Sequence, residues 1–329
     1  MKSAVNFGLA RWCQKNLVLS ILAALWLVLA LVILVAQPSI LSGATLSSIL
    51  QFATLLALVS LGQALVVLCG GAGIDLSVGG NVSLSAIVGI MSLQAGLPPM
   101  LLPVVCLLCG GLLGALNGIL VARLRIYPLI VTLGTFYLYS GLALCLTDGS
   151  AQSGVPDWAL PWGRGMLGDI PLPFLTLVIP AFVIVAVILS FTSWGRWIYA
   201  MGFNENSARL VGIPVDKVRI LLYSLCGLLA GAAGFVSLSW LGSGRPDAGV
   251  NLELESLTAA LLGGMAIFGG KGGVSGVFAA VLLLVALKTS MLQFGINSVW
   301  QVGVVGLLLI AVLLADRLSS RVSQTNGAR

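Results

Sequence analysis

Residues 46–69 read LSSILQFATLLALVSLGQALVVLC without a charged side chain, and residues 70–81 follow as GGAGIDLSVGGN. An apolar run of that length crosses a bilayer's hydrocarbon core as a helix, which takes about 20 residues. The glycines and the single carboxylate, Asp75, then unwind the chain before the next apolar run. This alternation recurs through all 329 residues, 59% of them hydrophobic and 8% charged, against roughly 25% charged in a soluble domain. The expected fold is all-α, a polytopic membrane protein.

Breaks at Gly, Pro and charge divide the chain into ten expected spans, at 17–36, 46–69, 79–96, 99–122, 128–147, 172–192, 218–240, 254–270, 273–291 and 297–315. The first exceeds a signal peptide's apolar region, about 7–15 residues, and reads as an uncleaved anchor. Ten crossings with both termini cytoplasmic place Lys2, Arg11, Lys15, Arg123, Arg125, Arg196, Arg209, Lys217, Arg219, Lys271, Arg317, Arg321 and Arg329 inside, which is 13 of the 16 basic residues. Arg164, Arg245 and Lys288 fall outside, where Asp148, Asp157, Asp169, Asp247, Glu253 and Glu255 are also expected. Omitting one span inverts every later loop and spoils this sorting. The layout is a cytoplasmic segment 1–16, a transmembrane body 17–315 with a cytoplasmic loop at 193–219, and a cytoplasmic tail 316–329. Seven of the eight tryptophans, all but Trp26, lie near span ends, where an amphipathic indole anchors at the interface. The net charge of +6 reflects topology and needs no nucleic-acid partner.

Several chemistries are excluded or weakened. The sequence contains no His, which removes Ser-His-Asp triads and His-bearing metal sites. Cys106 and Cys109 form the one C-x-x-C, read as small residues at a helix contact, and no metal site is expected. The glycine-rich run 263–276 fails the phosphate-loop pattern twice, because Met265 stands where the first Gly is required and Gly272 follows Lys271. Gly264, Gly269 and Gly270 there read as a turn between helices. Gly110, Gly114 and Gly118 form a small-residue ridge, as do Gly227 and Gly231 with Ala230 and Gly234, fitting either contacts within one subunit or a subunit interface.

Ionisable groups at bilayer depth are costly and mark coupled carriers. Here Asp75 is the one acid expected at depth. It reads as a cap on the following helix through N–H groups near Val78 and Gly79, the alternative being a direct role in transport. Ser77, Asn81 and Asn117 suit either a pathway for a neutral hydroxylated solute or hydrogen bonds between helices, and packing is the favoured reading for each. Within 193–219, Glu205–Leu210 fits a short helix capped by Asn204 and stopped by Gly212. Such a helix docks into a soluble partner or lies on lipid.

Three motifs in order resemble the permease subunits of bacterial ATP-binding-cassette sugar importers of the ribose type, over about residues 45–315. The family's G-I-D-L-S-V-G stands at Gly73–Gly79, its cytoplasmic G-G-N-x-x-A-A-x-x-x-G-I at 202–213, and its late G-G-x-x-x-x-G-G-x-G at 263–272. Phe203 replaces the usual Gly, and Asn81 follows Gly80 where Gly-Ser is common. The resemblance implies a bacterial inner-membrane subunit that is not itself an enzyme and binds no cofactor, ATP being held by a partner ATPase. It also implies a second permease copy or paralogue and a periplasmic binding protein. The solutes implied are pentoses, hexoses and related polyols. Asn204, Glu205, Ala208, Arg209, Leu210, Gly212 and Asp216 form the implied ATPase-coupling set, while Asp75, Ser77, Asn81 and Asn117 are pathway or gating candidates beside the helix-breaking Gly73 and Gly79. The rivals are a self-sufficient carrier using Asp75 and a membrane enzyme, the latter disfavoured because no catalytic set converges.

Overall fold

The computed structural model describes residues 17–36 and 42–327, so the expected cytoplasmic segment 1–16 lies outside the described residues. The principal helices are α1 (Leu17–Ala36), α2 (Gly43–Leu68), α3 (Val78–Gln94), α4 (Leu102–Ala122), α5 (Pro128–Thr147), α6 (Ile179–Phe191), α7 (Ser193–Phe203), α8 (Glu205–Leu210), α9 (Val215–Leu241), α10 (Leu252–Leu262), α11 (Val274–Gln293) and α12 (Ser298–Gly327). A two-residue β-hairpin pairs Met166–Leu167 with Ile170–Pro171. The protein is an all-α polytopic membrane protein.

Among the described residues eight helical stretches are long and apolar enough to cross a membrane: α1, α2, α4 with its lead-in turn, α5, α6 with the π-turn before it, α9, α11 and α12. Two expected spans are shorter. α3 has 17 residues and α10 only 11. The span expected at 254–270 stops at Leu262 because Gly263 and Gly264 end the helix, Gly264 at φ 88°. Apolar Met265, Ile267 and Phe268 beyond the stop prolong the hydropathy signal without prolonging the helix. At 1.5 Å per residue α10 is about 16 Å long, half the thickness of a hydrocarbon core. Segment 242–251 therefore folds back into the protein from the end of α9 to reach the start of α10. Glu253 and Glu255, expected in an outer loop, are carried inward by this fold, and Glu255 pairs with Lys288 of α11 at 2.7 Å.

The loop expected at 193–219 is largely helical, being α7, α8 and the first turn of α9. Thr192 caps α7 by accepting from the Gly195 N–H at 3.3 Å. At the other end of the chain, α12 continues as helix past the expected boundary at 315 to Gly327.

α2 is the central helix, buried along nearly all of its length from Ala53 to Leu68, and α9 packs beside it. The two run antiparallel, since α2 ends where α9 begins. Their surroundings correspond: α2 packs on α10 and α11 as α9 packs on α3 and α4, and α3 meets α5 as α10 meets α12. The chain thus contains two four-helix sets, α2–α5 and α9–α12, of opposite direction. Each starts with a long buried helix followed by a break and a shorter helix, the arrangement of an inverted repeat.

The two glycine ridges meet each other within the chain. A Cβ on Gly110 would stand 2.7 Å from the Gly231 nitrogen, and one on Gly114 3.0 Å from the Gly227 Cα. Of the two readings of these ridges, close packing between α4 and α9 of one subunit is the one realised.

Candidate functional site

The three interruptions picked out in the sequence converge at one end of the molecule. The Gly270 N–H donates to the Leu68 carbonyl at 3.0 Å, joining the turn after α10 to the end of α2. Gly202 of α7 lies between them, where a Cβ would collide with both the Leu68 carbonyl and Gly270. Tyr199 donates to the Gly272 carbonyl at 2.8 Å. α7 is thereby in contact with both breaks.

α8 occupies the expected residues, and the Asn204 side chain accepts from the Ser207 N–H at 2.9 Å. Gly212 stands at φ 84° and lets the chain turn back, so that the Ile213 N–H reaches the Ala208 carbonyl. Ala208 is buried. Glu205 is the hub: Arg209 donates to it at 2.9 Å and Arg219 at 2.7 Å, while Arg209 also meets Asp216 at 2.5 Å. Partial burial pushes the Glu205 carboxyl up, but the guanidinium groups of Arg219 and Arg209 outweigh it and hold it below the usual glutamate range. The Glu205–Arg209 face therefore turns toward its own chain. Outward-facing on α8 are Asn206, Ser207, Arg209 and Leu210, and the apolar Phe203, Leu210 and Val211 on and beside it are 79%, 88% and 76% exposed.

Arg219, which the sequence places in the loop without a role, links this helix to the first break. Its side chain is 10% exposed, and a Cβ on Gly71 would lie 3.1 Å from its Nη2. A polar cleft of about 380 Å³ opens here, lined among others by Gly71, Arg125, Tyr127, Glu205, Arg209 and Arg219.

Asp75 is buried, and one carboxylate oxygen accepts from both the N–H (2.9 Å) and the hydroxyl (2.6 Å) of Ser77. The capped N–H is thus that of Ser77 and not of Val78 or Gly79 as the sequence suggests. Ser77 already has αR geometry, so the helical turn begins earlier and Asp75 caps it two residues on. Asn117 donates to the Ser77 hydroxyl at 2.7 Å, extending the chain of bonds to α4. The Gln63 carboxamide, oriented to satisfy both groups, donates to the Asp75 carbonyl at 2.9 Å and accepts from its N–H at 3.2 Å. Asn81 donates to the Gly110 carbonyl (3.1 Å) and accepts from Ser85 (2.8 Å). In this conformation all four polar candidates are buried and bonded to their own chain. Gly73 abuts the Val66 carbonyl, where no Cβ fits.

The sequence reading missed the fourth break, 242–251, although Gly242, Gly244, Pro246 and Gly249 signal it. It brings Gly249 against Gly79: a Cβ on Gly79 would collide with the Gly249 carbonyl and with Glu253 Oε2, and a Cβ on Gly249 would overlap the Gly79 carbonyl. The Gly249 N–H donates to Ser83 at 2.9 Å.

Residues 45–313 match the family model described as the permease component of the branched-chain amino acid transport system. Over 295 residues the chain is 35% identical to the ribose import permease protein of Bacillus subtilis, covering 89% of this chain and 91% of the relative. It is 32% identical over 317 residues to the fructose import permease protein of Rhizobium meliloti, covering 92% and 87% respectively. Against the D-allose transport system permease protein of Escherichia coli it is 36% identical over 256 residues, or 76% of this chain and 77% of that one. No solved structure matches the chain.

Proposed function

This chain belongs to the family of branched-chain amino acid transport system permease components, and on that premise we propose that it is the membrane subunit of an importer that carries a ribose-like monosaccharide or related polyol. The sugar class rests on the relatives, whose names specify ribose, fructose and allose import. Energy comes from a separate ATPase that binds ATP, since the chain contributes transport and not hydrolysis. A periplasmic binding protein delivers the solute, and a second permease copy or paralogue completes the pore in the inner membrane. The short helices α3 and α10 count as crossings together with their breaks, giving ten passages with both termini cytoplasmic. Segment 1–16 and tail 316–329 flank the permease body on that side.

The observation that carries the mechanism is the convergence of the two glycine-rich breaks, after α2 and after α10, on α7–α8. The ATPase docks on the α7–α8 segment, with Phe203, Leu210 and Val211 as the apolar contact. Asn204, Glu205, Ala208, Arg209, Gly212 and Asp216 hold α8 in the docking pose. Closure of the ATPases displaces α8; Arg219 passes that motion to the 69–77 break, and the Leu68–Gly270 bond passes it to the turn after α10. The breaks then reorient, and access alternates between the two faces. Asp75, Ser77 and Asn117 keep the first break in shape through this cycle, and Asn81 anchors α3 to α4.

Reconstitution with an ATPase and a binding protein of the same transporter class tests the proposal. ATP-dependent uptake of ribose, fructose or allose is expected, and none without the ATPase. Uptake driven by a pH gradient without ATP would instead establish a self-sufficient carrier.

A further inference from the structure

We infer that the α3–α10 junction, where Gly79 and Gly249 meet, is the gate that closes the solute path, and that Glu253 is the positioning residue that keeps it ready to open. The inference rests on the permease reading above.

Four observations place the gate. First, the junction stands at the starts of the two shortened helices: Gly79 is in the first turn of α3, and Gly249 lies three residues before α10. Second, it joins the corresponding half-helices of the two inverted sets, so that motion of either set acts on it. Third, the contact is backbone on backbone. Neither Gly79 nor Gly249 leaves space for a Cβ, and the Gly249 N–H is held by Ser83, itself buried. A contact of this kind seals when closed and holds few side-chain bonds that must break on opening. Fourth, one side of the junction is open, since Val250 and Leu254 are 59% and 41% exposed.

Glu253 gives the gate its bias. Its Oε2 is buried at the junction without a hydrogen-bond partner among the described residues. Its neighbour Glu255 is matched by Lys288, whereas Glu253 has no cationic partner among the described residues and accepts only backbone N–H groups, at Glu253 and Asn251. A buried acceptor without a donor destabilises the conformation that buries it. Parting α3 from α10 exposes this oxygen to water or to the hydroxyls of a passing solute, both of which donate to it. The closed gate is thereby kept from being too stable to open.

The test uses the full transporter in proteoliposomes, with wild-type ATP-dependent uptake as the reference; absence of that uptake would fault the permease reading and not the gate. Ser83→Cys in a Cys-free background should resist an impermeant thiol reagent at rest and react during ATP turnover. Gly79→Ala, which wedges the junction, should let solute leak without ATP about tenfold faster than wild type. Glu253→Leu removes the unmatched oxygen and should lower maximal uptake about tenfold at unchanged half-saturation, with Glu253→Asp retaining most of the rate. Equal Ser83→Cys labelling at rest and in turnover would overturn the gate, whether or not Gly79→Ala assembles. Wild-type maximal uptake in Glu253→Leu would overturn the role of Glu253.

Discussion

Glu205→Ala isolates the link between the coupling helix and the transmembrane breaks. The substitution removes both bridges to Glu205 but leaves Arg209 paired with Asp216. The Arg209 bridge is exposed and contributes about 0–1 kcal/mol. The Arg219 bridge differs, because its guanidinium is 10% exposed and loses its only carboxylate partner among the described residues. A charge-assisted bond of this kind is worth about 1.5–3 kcal/mol, discounted toward the lower figure because Glu205 is 32% exposed. A loss of about 2 kcal/mol in the docking pose weakens ATPase affinity about 30-fold. Titrating the ATPase onto the permease in nanodiscs measures this, with solute-stimulated ATP hydrolysis as the second readout. The exchange Glu205→Arg with Arg219→Glu should recover part of the loss. The depressed Glu205 carboxyl sets the pH dependence: its stabilisation is complete above the ordinary glutamate range and disappears as pH falls through the lowered value. ATPase retention should therefore stay flat from neutral pH to that range and drop below it. Wild-type affinity in Glu205→Ala would refute the reasoning.

Gly212→Val forces a β-branched residue to φ 84°, costing about 1–2 kcal/mol in backbone strain alone since no atom crowds the site; the permease should insert yet retain its ATPase poorly on co-purification. In a Cys-free background, a Cys at exposed Ser153 should react with an impermeant reagent from the periplasm and one at exposed Ser207 should not; the opposite pattern would overturn the ten-crossing topology. Asp75→Ala loses the cap on α3 and should lower thermal stability by about 1–2 kcal/mol, whereas Asp75→Asn keeps an acceptor for Ser77 and should stay close to wild type in a melting assay.

What the sequence determined by itself is what depends on local physics. Uncharged runs of membrane length dictate helices. Asn204 and Gly212 bracket α8 because a cap and a left-handed stop act within a few residues of themselves. The motif at Gly73–Gly79 marked the first break for the same reason. Tertiary structure decided whatever depends on residues far apart in the chain. The ridge Gly110–Gly118 met Gly227 and Gly231 of its own subunit, a choice that small-residue spacing leaves open because every such ridge offers the same close approach. Glu205 turned to Arg219 because α9 starts beside α8, leaving Leu210 and Val211 outward. Glu253 looks like an outer-loop acid by hydropathy, and only the fold shows segment 242–251 turning inward. A window that averages apolarity over about 20 residues cannot distinguish a full crossing from an 11-residue helix with a glycine turn on one side and a re-entrant strand of loop on the other.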